Sequence, residues 1–273
     1  MNFCFAEAVQ KIDPKQSLTK SEDYICVGKT MSRRLEDGSI KSSCVLLAGI
    51  INEVLGVCIE NKDFREWNLM EKQALYVIYH EFGHCMDAKY RFQESKREVR
   101  GEDKLFRIKN VFRYYSAILA DELAACVFSA NIMTGEVFEL ELQNTKAVIL
   151  NNLKGLEAQK EEYRTDNSKL YELAFSVSGL FWLVLIQYAK LIGNKIGNKK
   201  LEKSTIDVWD GASDKTAQIL TVFGNNLSKY WRDYPNWNRD FHNSLFDAWN
   251  SLALEHGYYF IESPAADSLF WNN

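Results

Sequence analysis

Most of the chain shows the spacing of apolar residues that is typical of helices. Apolar residues recur three and four positions apart from Asn68 to about Tyr90, and Asn68 with Glu71 has the spacing of a capping box. Gly135 is expected to end the next helix. The predicted helices cover residues 1–12, 68–90, 111–133, 136–163, 166–193, 213–231 and 238–256.

Three segments have other patterns. Residues 24–47 carry Asp37-Gly38 between two mixed stretches, which predicts a hairpin with a tight turn. The apolar residues of 44–57 fit a helix as well as a buried strand, so both remain open. Residues 91–110 are strongly charged and predict a solvated loop or a mobile flap.

These elements predict an α+β fold dominated by helices, with a small sheet beside the 68–90 helix. We expect a core over residues 1–135 and a helical region over 136–273 packed on it, forming one continuous domain. Leu173–Ala189 is apolar over 17 residues but includes Ser176, Ser178 and Gln187. Because this is at the short limit for crossing a bilayer, a buried core helix is preferred, with membrane association as an alternative.

Composition and charge bear on three expectations: nucleic-acid binding, the state of the cysteines and the location of the protein. The net charge of −4 gives no electrostatic reason to expect nucleic acid. Six scattered cysteines without a CxxC pair predict buried reduced thiols. The N-terminus becomes charged within seven residues, which is unlike a signal peptide, so a cytoplasmic protein is expected.

The run HEFGH, residues 80–84, carries the most specific chemistry. On a helix, His80 and His84 lie on the same face and can direct one ring nitrogen each toward a shared zinc ion. Glu81 lies about 100° further round the helix, where it can deprotonate a water held by the metal. The pattern therefore predicts a zinc hydrolase with a zincin-like fold, most simply a peptidase, in which Glu81 is the general base.

A third protein ligand is required. The position six residues after His84 is Tyr90, which excludes the metzincin arrangement. The run ADELAACVFSA supplies Glu122, and its neighbours Ala124 and Ala125 are small enough to let two helices approach closely. Asp121 is the competing ligand, although it points about 100° away.

HEFGH, followed by Glu122, Ala125, Phe128, Ser129 and Ala130 in an E-x-x-A-x-x-F-S-A segment, resembles the gluzincin peptidases. Within them it is most similar to the ImmA/IrrE family of bacterial and mobile-element metallopeptidases, over about residues 67–133. The resemblance implies His80, His84 and Glu122 as zinc ligands and Glu81 as base. It also implies a zinc-dependent endopeptidase whose partner is a protein or peptide substrate, in that family a helix-turn-helix repressor.

The chain departs from the family pattern at Cys126, where Asn or Asp normally orients a ligand histidine. A thiol is a weak hydrogen-bonding group, so Asp87 or Asp121 could take that role. A zincin-fold binding or regulatory protein with little or no turnover is therefore the alternative function.

Candidates for stabilising an oxyanion are His242, His256 and Tyr115, with Tyr114 beside it. The aromatic residues of the last third predict a packed core rather than a peptide groove.

Overall fold

The computed structural model describes residues 11–12, 28–94, 108–165, 170–201, 206, 211–237, 239–261 and 268–271. Helices dominate this part of the chain, and two antiparallel hairpins accompany them. The strands are β1 (Gly28–Arg34), β2 (Ile40–Leu46), β3 (Tyr258–Ile261) and β4 (Ser268–Trp271). The α-helices are α1 (Ala48–Ile59), α2 (Leu69–Glu94), α3 (Ile108–Ser129), α4 (Gly135–Thr165), α5 (Leu170–Gly197), α6 (Asp214–Tyr230) and α7 (Arg239–Glu255).

The predicted N-terminal hairpin is confirmed. Strands β1 and β2 pair antiparallel from Gly28 opposite Leu46 to Arg34 opposite Ile40. Gly38 has φ +84°, and the Asp37 carboxylate accepts hydrogen bonds from the backbone and hydroxyl of Ser39, which closes the turn. The segment that fitted either a strand or a helix contains both, because β2 ends at Leu46 and α1 begins at Ala48. The hairpin packs on α2.

Helix α2 begins as the sequence predicts. The Glu71 amide donates to Asn68 Oδ1 at 3.0 Å, and the Asn68 amide donates to Glu71 Oε2 at 2.6 Å, so the capping box is reciprocal. The helix then extends to Glu94, which corrects the prediction that residues 91–94 belong to a loop. Residues 95–107 lie outside the described residues, and residues 108–110 already belong to α3.

The helices predicted at 136–163, 166–193, 213–231 and 238–256 are all present, with ends shifted by a few residues. Gly135 is an exception, since it begins α4 instead of ending α3. A single turn of tighter helix, Ala130–Ile132, ends α3 in its place, and the Asn198 side chain donates to the carbonyls of Ala130 and Met133 there. The side chain of the residue that follows α5 therefore satisfies carbonyls at this helix end.

One hydrophobic core joins the two predicted regions. Tyr76, Leu119 and Leu123 from the first region belong to the same buried cluster as Phe181 and Leu185 from the second. Helix α5 packs against α3, α4 and α6 and is the central helix of this core. Among the described residues, Tyr115–Ile132 and Ala174–Gly197 are long and apolar enough to cross a membrane by length and composition, and 67% of the latter stretch is buried within the fold.

Two features of the fold differ from the sequence prediction. The β3–β4 hairpin was not predicted, because both strands are only four residues long. All four described cysteines are free thiols, as expected, but only Cys126 is buried and Cys58 is exposed. Of the predicted helix at 1–12, residues 11–12 are helical and the rest lies outside the described residues.

Candidate metal centre

Two imidazoles and one carboxylate meet between α2 and α3. His80 Nε2 lies 3.2 Å from His84 Nε2 and 3.3 Å from Glu122 Oε2. His84 Nε2 lies 3.8 Å from Glu122 Oε1. Both histidines are less than one tenth exposed. Within the described part of the chain, these three residues are the group whose ligand atoms converge well enough to hold a metal ion.

The spacing of the three residues fits a tetrahedral zinc ion. Ligand atoms about 2.0–2.1 Å from such an ion lie roughly 3.3–3.4 Å from one another. The 3.2 Å between the two histidine nitrogens and the 3.3 Å from His80 Nε2 to Glu122 Oε2 agree with this. The 3.8 Å from His84 Nε2 is to the other carboxylate oxygen, Glu122 Oε1. Two imidazoles and a carboxylate are also ligand types that zinc uses, and they leave a fourth position for water or substrate. The donor set therefore fits zinc and other divalent metals that bind imidazole and carboxylate.

Asp121 orients the ring of His84. The two groups form a hydrogen bond of 2.8 Å between His84 Nδ1 and Asp121 Oδ1. Because a carboxylate only accepts, Nδ1 carries the proton and the lone pair of Nε2 faces the other two ligands. Asp121, considered as a competing ligand and as an orienting residue, thus lies in the orienting position.

His80 has a different partner on its outer nitrogen. Its Nδ1 lies 3.6 Å from the Cys126 sulfur, which lies 3.5 Å from the hydroxyl of Tyr76. That hydroxyl donates to Asn194 Oδ1 at 3.0 Å. The Cys126 thiol is therefore part of a buried chain of polar groups reaching from α2 to α5.

The electrostatics of the cluster favour a positive charge at its centre. Burial raises the pKa of Glu122, but Lys190 and the two histidines lower it well below its ordinary value. Burial lowers the pKa of His80, but Cys126 and Glu122 raise it to about 10. A cation between these groups, whether a proton or a metal ion, is thus stabilised by an ionised Glu122.

Strand β1 holds the side chain of Glu81. The Thr30 hydroxyl lies 2.7 Å from Glu81 Oε2 and 3.0 Å from the Glu81 carbonyl oxygen. A Cβ placed on Gly28 would lie 2.7 Å from Glu81 Oε1, so a larger residue at this position would push the Glu81 carboxylate out of its place. Burial raises the pKa of Cys44, which pairs with Thr30 across the hairpin, to about 11. A neutral thiol and a hydroxyl therefore face the carboxylate of Glu81.

Gly83 sets the distance between the two helices that carry the ligands. A Cβ at this position would lie 2.6 Å from the carbonyl oxygen of Ala125 and 2.8 Å from its Cα. The backbones of α2 and α3 are therefore in direct contact, as the small residues Ala124 and Ala125 predicted. This contact brings Glu122 within reach of the two histidines one turn of helix away.

The remaining predicted residues have other contacts. Asp87 is buried and accepts a hydrogen bond of 2.6 Å from the Tyr234 hydroxyl, which ties α2 to the segment before α7. Tyr115 stacks on Trp182 of α5. His256 packs on Phe181, and exposed His242 packs on its neighbour Phe241. The oxyanion role of these three residues stays a prediction, and the side chain of Tyr114 lies outside the described residues.

Most aromatic residues of the last third pack on one another or on α5, as predicted, whereas Tyr259 is exposed. Trp231 stacks on Tyr234 with ring centroids 4.4 Å apart, and Trp249 stacks on Trp182. The buried Tyr258 hydroxyl donates to the Leu156 carbonyl at 2.7 Å.

Sequence reasoning did not identify Thr30, Tyr76, Lys190 or Asn194 as neighbours of the site. Thr30, Lys190 and Asn194 lie on other elements and reach the site only through tertiary packing. Tyr76 lies on α2 itself, one turn before His80, but its contact with Cys126 depends on how α3 packs. A weak signal existed for α5, because Gly193 and Gly197 are four residues apart, a spacing found where helices approach closely.

Comparison with known proteins gave no relative for the chain. No protein-family model, no curated protein and no solved structure matches it.

Proposed function

We propose that the chain is a zinc-dependent endopeptidase whose ligands are His80, His84 and Glu122 and whose general base is Glu81. The observation that supports this most strongly is the convergence of one ligand atom from each of the three residues within 4.8 Å of one another. Two helices supply them, with Glu122 lying 38 residues after His84 in the sequence. The outer ring nitrogen of each histidine also has a polar partner. Surface clusters of acidic residues lack that arrangement.

The reaction is hydrolysis of a peptide bond. A zinc ion bound by the three ligands supplies a Lewis acid that polarises the scissile carbonyl and lowers the pKa of water toward about 7. Glu81 takes a proton from the attacking water as the new C–O bond forms. It then delivers this proton to the amide nitrogen as the C–N bond breaks, giving a carboxylate and an amine. The Thr30 hydroxyl keeps the Glu81 carboxylate in place during both transfers.

The β1–β2 hairpin is the proposed support for an extended substrate. In the described part of the chain β1 pairs only with β2, which leaves its other edge without a strand neighbour. Gly28 and Thr30 of β1 touch Glu81, so a peptide paired along this strand would pass close to the base. The substrate is accordingly proposed to be an extended segment of a protein or peptide.

Two substitutions separate metal binding from turnover. Purified protein is analysed for zinc and assayed with a mixture of quenched fluorescent peptides of randomised sequence. Wild type should contain one zinc per chain and cleave the mixture. Glu81→Gln should keep the zinc and lose about 10²–10⁴-fold in rate, because general-base catalysis is removed. Glu122→Ala should lose the zinc. Wild type without stoichiometric zinc, or undiminished cleavage by Glu81→Gln, would refute the proposal.

We further propose a cytoplasmic location without membrane insertion. The supporting observation is that two thirds of the most apolar stretch of α5 is buried within the fold, where its residues pack on α3, α4 and α6. Fractionation of cells expressing the chain tests this, and recovery in the membrane fraction that only detergent releases would contradict it.

A further inference from the structure

Helix α5 contacts the candidate metal centre with one face. Lys190, Gly193, Asn194 and Gly197 are spaced three and four residues apart and therefore lie along the same side of the helix. Lys190 Nζ lies 3.8 Å from Glu122 Oε2. A Cβ on Gly193 would lie 2.8 Å from the Cβ of Cys126, and one on Gly197 would collide with the carbonyl of Val127. The backbones of α5 and α3 are thus in contact beside the site.

Asn194 fixes the direction of the hydrogen bonds that lead to His80. Its Oδ1 can only accept, so the Tyr76 hydroxyl uses its single hydrogen in that bond. The Tyr76 oxygen is then an acceptor for the Cys126 thiol, whose hydrogen points toward Tyr76. This arrangement leaves a sulfur lone pair facing His80 Nδ1, which must therefore donate.

A donating Nδ1 leaves the lone pair of His80 Nε2 directed at Glu122 and His84. The four residues of this hydrogen-bonded chain are each less than one tenth exposed, so water does not compete for these bonds: Asn194, Tyr76, Cys126 and His80. We propose that Tyr76, held by Asn194 and acting through Cys126, is a positioning residue that fixes the tautomer and the ring orientation of His80. Helix α5, in the region beyond residue 135, is then part of the metal-binding machinery. This inference rests on the proposed zinc site.

The test measures zinc affinity by competition with a chelator of known affinity, alongside the thermal unfolding midpoint. Tyr76→Phe and Cys126→Ala should each weaken zinc binding by about 10- to 100-fold, the usual effect of losing a group that orients a ligand. The double variant should be no weaker than the single ones, because both changes interrupt the same chain of bonds. Cys126→Ser, which keeps a donor and an acceptor, should stay within a few fold of wild type.

Tyr258→Phe is the matched control. It also removes one buried tyrosine hydroxyl that has a hydrogen-bond partner. The partner of Tyr258 is the Leu156 carbonyl, which is not a group of the metal centre. It should lower the unfolding midpoint and leave zinc affinity unchanged. If Tyr76→Phe and Cys126→Ala bind zinc as wild type does, the positioning role is refuted while the peptidase proposal stands. If wild type itself binds no zinc, the proposed function fails and this inference fails with it.

Discussion

Replacing Gly83 by alanine tests whether the contact between α2 and α3 determines the metal geometry. The new methyl group would lie 2.6 Å from the carbonyl oxygen of Ala125 and 2.8 Å from its Cα. Carbon atoms in favourable contact are about 3.5–4.0 Å apart, so the two backbones must separate by roughly 0.7 Å. No flexible side chain can absorb this movement, since the atoms it meets belong to the backbone.

Both stability and metal binding should change. Overpacking costs about 1–3 kcal/mol, and the higher helix propensity of alanine offsets about 1 kcal/mol of that. A movement of about 0.7 Å also exceeds the roughly 0.2 Å tolerance of metal–ligand distances. We therefore expect Gly83→Ala to lower the free energy of unfolding by up to about 2 kcal/mol. Zinc affinity should fall about tenfold or more, as expected when ligands are displaced.

Gly56→Ala is the control for helix propensity alone. Gly56 lies in α1, and nothing lies within 4 Å of the position that a Cβ would take. This variant should gain about 0.5–1 kcal/mol in the free energy of unfolding. Chemical denaturation and isothermal titration with zinc compare the two variants. If Gly83→Ala is as stable as Gly56→Ala and binds zinc like wild type, the close approach of the helices does not set the site.

Three further outcomes follow from the contacts of the site. Thr30→Val should reduce kcat without changing zinc affinity, because it removes the hydroxyl that holds Glu81. Thr30→Ser keeps the hydroxyl and should retain kcat, so equal kcat values in the valine and serine variants would contradict this. Lys190→Met should destabilise the metal-free protein by about 0.5–1 kcal/mol near neutral pH. Because Lys190 lowers the pKa of Glu122, this difference in the free energy of unfolding should be fully present above pH 4.5, the ordinary pKa of Glu122, and should shrink as the pH falls below it. Unfolding curves measured across this pH range would refute the prediction by showing a constant difference. A chelator in excess should lower the unfolding midpoint of wild type but not that of Glu122→Ala, because a metal ion that binds only the native state stabilises it. Equal shifts in the two proteins would exclude metal binding at this site.

Local patterns predicted most of the helical structure and the position of the site. The capping box at Asn68 and Glu71 identified the start of α2, and Asp37-Gly38 identified the first hairpin. Both signals operate within a few residues, so no tertiary information is needed to interpret them. The β3–β4 hairpin lacked such a signal, because strands of four residues are too short to show an alternating pattern. The end of α2 was also misplaced, since charged residues after Tyr90 continue a helix as readily as they form a loop.

The spacing of His80 and His84 by itself determined that two imidazoles share one face, because the helical repeat is a local property of the backbone. The same local geometry separated Glu122 from Asp121 by about 100° but did not decide which of them faces the histidines. Only the tertiary structure decided that, through the backbone contact at Gly83 that fixes how α3 is rotated and placed against α2. The partners Thr30, Lys190 and Asn194 likewise follow from packing between distant segments, and no spacing within a single segment encodes them. Tyr76 lies four residues before His80 and shares its helix face by local geometry, but its hydrogen bonds to Cys126 and Asn194 depend on tertiary packing.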